Sequence, residues 1–327
     1  MRMQRLPGNP IIQPHMDASM GTNINGPSLI RVPNWIADPL GTYYLYFADH
    51  KGHYIRLAYA DRLEGPWRMY APGTLQLEQS YFLTTPPDVP PELQPRLAAM
   101  ARQRAGMVGV ESPMENATAV HIASPDVHVI DARREIRLYF HGLEGCFYQV
   151  SRVATSTDGL HFQAAPEILG PSYLRLFRYQ DWYYGMAMPG VFSRSKDGLT
   201  RFEPGPTLFN PNMRHAGLLR RGDRLYVFWS QVGDTPERIL LSTIDLRPDW
   251  MAWHASAPTE VLRPEHPWEG SNEPLVASVR GAISIPVNQL RDPAVFTEDG
   301  RVFLLYTVAG ESGIAIAEVF LDACAGT

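Results

Sequence analysis

The feature that most limits how this chain can fold is a motif that occurs five times. Each copy is an apolar run, a tight turn, an aromatic-rich run, a loop and a further apolar run. The copies span residues 25–67, 123–162, 170–202, 213–253 and 289–319. Their runs are rich in Val, Ile, Tyr, Phe and Trp and are bounded by Gly, Pro, Asp and Asn, which is strand chemistry. The last copy, "QLRDPAVFTEDGRVFLLYTVAGESGIAIAEV", shows the plan: an Asp-Gly turn joins the first two runs, and a Gly-Glu-Ser-Gly loop leads to the third.

A three- or four-stranded unit repeated in this way buries its faces by stacking on its neighbours, so the recurrence predicts a radial array. The fold expected is an all-β, five-bladed β-propeller; two packed sheets with coincidental spacing are the alternative. Leu29, Val127, Leu174, Leu218 and Val295 fall on the innermost strands in this scheme. Only 90–107, "PPELQPRLAAMARQRAGM", has helical composition, with prolines at or near its start. It is expected inside an insertion at about 83–114, between the first and second blades. No Gly/Ser linker or change of composition divides the chain, which reads as a single domain over 1–327.

Composition narrows the function classes. The chain is 45% hydrophobic and 19% charged, as a packed globular protein is. Its 29 Lys and Arg against 34 Asp and Glu give a net charge of −5, so no basic field points to nucleic acid as a partner. No run approaches the roughly 18 apolar residues a bilayer span needs, so no membrane partner is expected. "MRMQRLPGNPIIQPHMD" has no apolar core of a signal peptide, so the expected location is the cytoplasm, or the periplasm or exterior if a signal has been removed. Two cysteines, Cys146 and Cys324, are too few for a disulfide framework or a thiolate metal cage.

In such an array the innermost strand of each blade leaves one face and the second strand returns to it. Residues just before the first strand and just after the second therefore meet at one mouth of the central channel, and loop positions on a rigid scaffold are where function concentrates. This selects Asp17, Asn23 and Asn25 ahead of blade one, with Asp49 and His50 behind its second strand. Blade two offers Asp126 and His141, blade three Tyr173 and Arg175, and blade four Arg214 and His215. Blade five offers Trp268 and Glu269 in "HPWEGSNEP", then Arg291, Asp292 and Glu311. An Asp ahead of a strand also caps turns through the backbone, a role open to Asp126 and Asp292. Asp158, Asp197 and Asp299 read as turn residues, and Trp67 and Phe162 as packing between blades.

Taken together, these stretches resemble the five-bladed glycoside hydrolases, the superfamily that contains families 32, 43, 117 and 130. The resemblance rests on "NPIIQP" with "NGPSLIRVP", on "YYLYFAD" with "LAYADRLEGPW", on "VATSTDGLHF" and "SRSKDGLTRF", and on "LRDPAVFTEDGRVFLLYTVAG", and it covers nearly the whole chain. It implies a base at the start of blade one, a pKa-tuning aspartate in blade two and a proton donor in or near blade three. The chain departs at each point: Asn25 stands at the first, Ser124 at the second, and "LGPSY" has no glutamate at the third.

The expected chemistry is therefore glycoside cleavage with acids drawn from elsewhere, which needs a protonated carboxyl at the leaving oxygen and a carboxylate on water or carbon. Glu269 beside Trp268 is the expected acid and Asp17 the expected base. Asp292, held by Arg291, is expected to orient or tune, and Asp126 is a further acid. Asn25, Asp49, His50, His141, Arg214 and His215 are expected to bind sugar hydroxyls, a carboxylate or a sulfate. An acidic or anhydro sugar fits the arginines. No cofactor is required, and a structural divalent cation in the channel fits the histidines. A polysaccharide lyase, a metal-assisted enzyme and a sugar-binding module without turnover are the alternatives. An oligosaccharide or polysaccharide is the expected partner, and the subunit arrangement is open.

Overall fold

A computed structural model describes residues 1–321; Cys324 lies outside the described residues. The chain opens with a short strand, β1 (Arg2–Arg5), and then builds five antiparallel sheets about one axis. Blade one is β2 (Asn25–Arg31), β3 (Tyr43–Ala48), β4 (Tyr54–Ala60) and β5 (Arg68–Gln76). Blade two is β6 (Ile122–Ile130), β7 (Glu135–Gly145) and β8 (Tyr148–Ser156), edged by the two-residue strands β9 (Gln163–Ala164) and β10 (Gly170–Pro171). Blade three is β11 (Arg175–Tyr179), β12 (Trp182–Ala187), β13 (Val191–Ser195) and β14 (Glu203–Thr207). Blade four is β15 (Met213–Arg221), β16 (Arg224–Gln231), β17 (Ile239–Asp245) and β18 (Thr259–Leu262). Blade five is β19 (Arg291–Glu298), β20 (Arg301–Thr307) and β21 (Ile314–Phe320), and β1 is its outermost strand. The five-bladed architecture is the one the repeats predict. Leu29, Val127, Leu218 and Val295 lie on innermost strands, and Leu174 sits one residue ahead of β11.

The second strands read as unbroken apolar runs because both faces of a blade are covered. In β3 all six residues of "YYLYFA" are buried. Tyr44 and Tyr46 point into the core shared with blade two, while Tyr43, Leu45 and Phe47 point into the core shared with blade five. The same alternation gives one apolar core for each of the five blade–blade interfaces. Trp67 and Phe162 sit in two of these cores, as packing residues.

The Ser-x-Asp-Gly turns are structural. Asp158 accepts from the backbone N–H of Leu160 and His161, and Asp197 from Leu199 and Thr200. Each turn also presents a carbonyl to the neighbouring blade: Tyr46 donates to Gly159 O (2.8 Å) and Tyr139 to Gly198 O (2.9 Å).

The insertion between blades one and two carries α1 (Gln94–Gln103) and α2 (Pro113–Thr118). Ser112 caps α2 through a capping box with Glu115. Among the described residues no helix is long and apolar enough to cross a membrane.

Candidate active site at the channel mouth

All five innermost strands begin in the same unusual way. Gly26, Ser124, Tyr173, His215 and Asp292, one from each blade, have φ of +59°, +51°, +63°, +42° and +47°. In four blades the ladder register slips at this point, so a β-bulge turns the left-handed residue out of the sheet. Left-handed backbone is costly for non-glycine residues and persists where the surroundings over-determine it. The five left-handed residues form a ring at the mouth. Blade one can contribute only glycine, because a Cβ on Gly26 would lie 2.7 Å from Ser124 Cα.

Asp292 is the one acid in that ring, and it is 1% exposed. Tyr173 donates to its Oδ1 (3.0 Å) and Thr307 to its Oδ2 (3.3 Å). The backbone N–H of Asp292 points to His215 Nδ1 (3.5 Å), which leaves Nε2 to carry the proton facing Oδ1 at 3.6 Å. Burial, and then the negative charge of Glu311, push the Asp292 carboxyl up to about 6. Burial also drives the Tyr173 hydroxyl well above its ordinary value and His141 and His215 well below theirs, so both imidazoles are neutral.

Glu311 is the opposite case. Burial works against its charge, but His50 Nδ1 (3.2 Å), Arg291 Nη1 (2.8 Å) and Asn23 Nδ2 (2.7 Å) converge on it and hold it well below the usual carboxylate range. The charge ladder continues through Arg291 Nε to Glu237 Oε2 (3.5 Å) and through Glu237 Oε1 to Arg214 Nε (3.1 Å). These four residues are at most 2% exposed. Buried charges of this kind persist only when paired.

The structure gathers Asn25, His50, His141, Arg214, His215, Arg291 and Asp292 at or just beneath the mouth. Asn25 Nδ2 lies 3.1 Å from His50 Nδ1, and the His141 ring leans on Tyr173 at 6.4 Å between centroids. Arg291 does not hold Asp292, however. Its guanidinium goes to Glu311, Glu237 and Gln289, and Asp292 faces Tyr173 and His215 instead, because the bulge turns the two side chains apart.

The other expected site residues lie elsewhere. Glu269 is fully buried and accepts from Arg5 Nε (2.7 Å) and Nη2 (3.0 Å), Tyr306 Oη (3.0 Å) and two backbone N–H groups. It fastens the N-terminal strand to blade five and does not line the mouth cavity. Trp268 stacks on His266 at 5.2 Å and packs against the core between blades four and five. Asp17 caps its own loop, accepting from the N–H and hydroxyl of Ser19, which hold its carboxyl below the ordinary value. Asp49 closes a turn with Lys51 N–H and approaches Arg56 at 3.5 Å. Asp126, two residues past the ring, joins blade two to blade three by accepting from Leu176 N–H and His128. Among the described residues no group of three or more His, Cys, Asp or Glu is placed to hold a metal ion.

A cavity of about 540 Å³ opens beside the ring at His215. His50, Arg214 and His215 are in its floor, Arg96 and Asn116 come from the insertion, and Arg280 and Gly281 from the segment before blade five. These last two walls are zipped together: Ser284 N–H donates to Gly109 O, Glu111 N–H to Ala282 O, and Arg104 Nη2 to Arg280 O. Glu111 also pairs with Lys51 Nζ (3.1 Å), tying this roof to blade one.

Sequence reasoning missed Glu237 and Arg280. Glu237 follows Pro236 in a polar loop, and nothing local marks it as fully buried. The ring did leave a signal: Gly26-Pro27, Ser124-Pro125 and Asp292-Pro293 share a proline whose missing N–H suits a ladder break.

A ring of left-handed bulge residues over five radial sheets places this chain among the five-bladed β-propellers, with the fold seen in glycoside hydrolases. Solved structures with this fold include a glycosyl hydrolase from Bacteroides ovatus (TM-score 0.61, 12% identity, 98% of this chain and 94% of that one). They also include the α-L-arabinanase of Cellvibrio cellulosa complexed with arabinohexaose (0.53, 13%, 92% and 93%) and a family 43 β-xylosidase/α-arabinofuranosidase from a compost microbial metagenome complexed with xylotriose (0.54, 12%, 95% and 96%). No family model matches the chain. The uncharacterized protein R118 of Acanthamoeba polyphaga mimivirus is 36% identical over 344 aligned positions, covering 96% of this chain and 89% of that protein; the chain belongs to the same family.

Proposed function

We propose that this protein is a carbohydrate-active enzyme that cleaves a glycosidic bond at the channel mouth, with Asp292 as proton donor. One observation carries the reading: two buried carboxyls near one another are pushed apart in proton affinity, Asp292 up to about 6 and Glu311 down. Such a divided pair separates an acid from a permanent anion. Asp292 keeps its proton up to about pH 6 and, from just behind His215 in the cavity wall, can deliver it to a leaving oxygen that reaches the ring. Glu311, locked by Arg291, His50 and Asn23, adds its negative charge to burial in raising the proton affinity of Asp292. Tyr173 and His215 orient the carboxyl, and His50 and Arg214 reach the sugar from the cavity floor. The sugar-bound neighbours of the same fold support a saccharide at this mouth.

A lyase is the second reading. The Tyr173 and His215 rings lie 5.0 Å apart beside Arg214, and among the described residues no carboxylate lines the cavity to activate water. A neutral imidazole or tyrosyl base with an arginine against a uronate carries out elimination. Products from an oligosaccharide panel decide. New reducing ends without unsaturation, lost in Asp292→Asn, support hydrolysis. Absorbance of a new double bond identifies elimination, and binding without either product removes both.

A further inference from the structure

We propose that the mouth cavity is an anion subsite: it takes an acidic sugar and grips the carboxylate or sulfate group with Arg214 at its floor and Arg280 at its rim. The inference rests on the mouth being where the substrate sits, and it names the class of that substrate.

The lining has one sign. Among the described residues, three arginines and two histidines border the cavity, and no aspartate or glutamate does. At the floor the charges cancel, with Arg214 and Arg291 set against Glu237 and Glu311. The rim is different. Neither Arg96 nor Arg280 makes an ion pair among the described residues; Arg280 donates only to Pro211 O (2.9 Å), and Arg96 lies over the Phe147 ring at 3.9 Å. With the floor pairs closed, the two rim arginines leave the cavity lining with an uncompensated positive charge.

Arg214 supplies the independent observation. It is 2% exposed, its Nη1 is spent on Val279 O (2.9 Å), and its Nε faces Glu237. Among the described residues its Nη2, like its Nε, is buried with no hydrogen-bond partner, on a residue that lines the cavity. A buried guanidinium N–H without a partner is costly to leave so, and an anionic acceptor in the cavity satisfies it. Phe147 and the exposed Tyr148 line the same wall and offer apolar faces to the sugar ring.

Binding is read by calorimetry at low and at physiological salt, independently of turnover. The probes are an α-1,4-linked galacturonate trisaccharide, a sulfated galactose trisaccharide and the neutral galactose trisaccharide. At least one acidic probe is expected to bind tenfold or more tighter than the neutral one, with affinity falling as salt rises. Arg280→Gln, at the exposed rim and safe for folding, is expected to weaken the acidic probe about ten- to hundredfold, the scale of one charge-assisted hydrogen bond. It should leave the neutral probe unchanged, and Arg214→Gln should act in the same direction if it folds. Which acidic probe wins separates a carboxylate from a sulfate. Equal binding of all three probes, binding of the neutral one alone, binding of none, or an acidic preference untouched by Arg280→Gln overturns the proposal. Acidic binding without turnover leaves the subsite standing and removes the proposed hydrolase, whereas turnover of neutral sugars alone does the reverse.

Discussion

Replacing Asp292 by Asn should make the protein more stable at alkaline pH while removing its activity. Asn is the right probe because it tolerates the φ of +47° at this position and keeps an oxygen to accept from Tyr173. The carboxyl stands at about 6 against an ordinary 3.8, so the folded chain binds this proton more tightly than the unfolded chain. The contribution to stability is therefore fully present below 3.8 and is lost as pH rises through about 6. The whole difference amounts to about 3 kcal/mol. The variant has no proton to lose, so its stability relative to wild type should climb by about 3 kcal/mol between pH 3 and 7.5. Urea denaturation of both proteins across that range isolates the effect, because titrating groups that do not feel Asp292 cancel in the difference. Turnover should fall by about 10² or more, since an amide cannot protonate a leaving group. A stability difference that stays flat, or that falls with pH, would refute the assignment of Asp292 as the protonated acid.

Glu311→Gln removes the charge that lifts Asp292, so the alkaline limb of the kcat/KM profile should move to lower pH; a limb that stays in place, measured on protein of checked folding, separates the two carboxyls. Glu269→Gln should cost about 1–3 kcal/mol by weakening the charge-assisted hydrogen bonds from Arg5, which keeps Glu265 as a partner, seen as a lower urea midpoint, while kcat per folded molecule stays at the wild-type value. Tyr46→Phe deletes the hydrogen bond to Gly159 O between blades one and two; a loss of about 1 kcal/mol with full activity is expected from the same two assays.

The candidate site was legible as a set of positions and illegible as a set of partnerships. Asp292, His215, His50 and Arg291 could be placed at the mouth because strand polarity and turn chemistry repeat in every blade. Glu269 could not. Its flanking "HPWEG" looks like an exposed loop beside an aromatic, yet its carboxylate is satisfied by Arg5, 264 residues earlier. Nor does adjacency in sequence tell that Arg291 turns to Glu311 and Glu237 while Asp292 turns to Tyr173. A bulge decides that, and a bulge is a property of two paired strands.

What the sequence determined by itself is everything that one blade can specify alone. Apolar alternation sets its strands, Asp-Gly and Ser-x-Asp-Gly set its turns, and the direction of each strand sets which residues reach the mouth. These are local properties, encoded within about thirty to forty residues and read five times over. Closure of the ring decided the rest. Only when β1 pairs with β21 do blade five and the N-terminus share a sheet. Only when five innermost strands converge do Gly26 and Ser124 crowd together and Asp292 meet Tyr173 and His215 from two other blades. The proton affinity of Asp292 comes from that convergence, because burial and the charge of Glu311 act through space, across distances that no local pattern records.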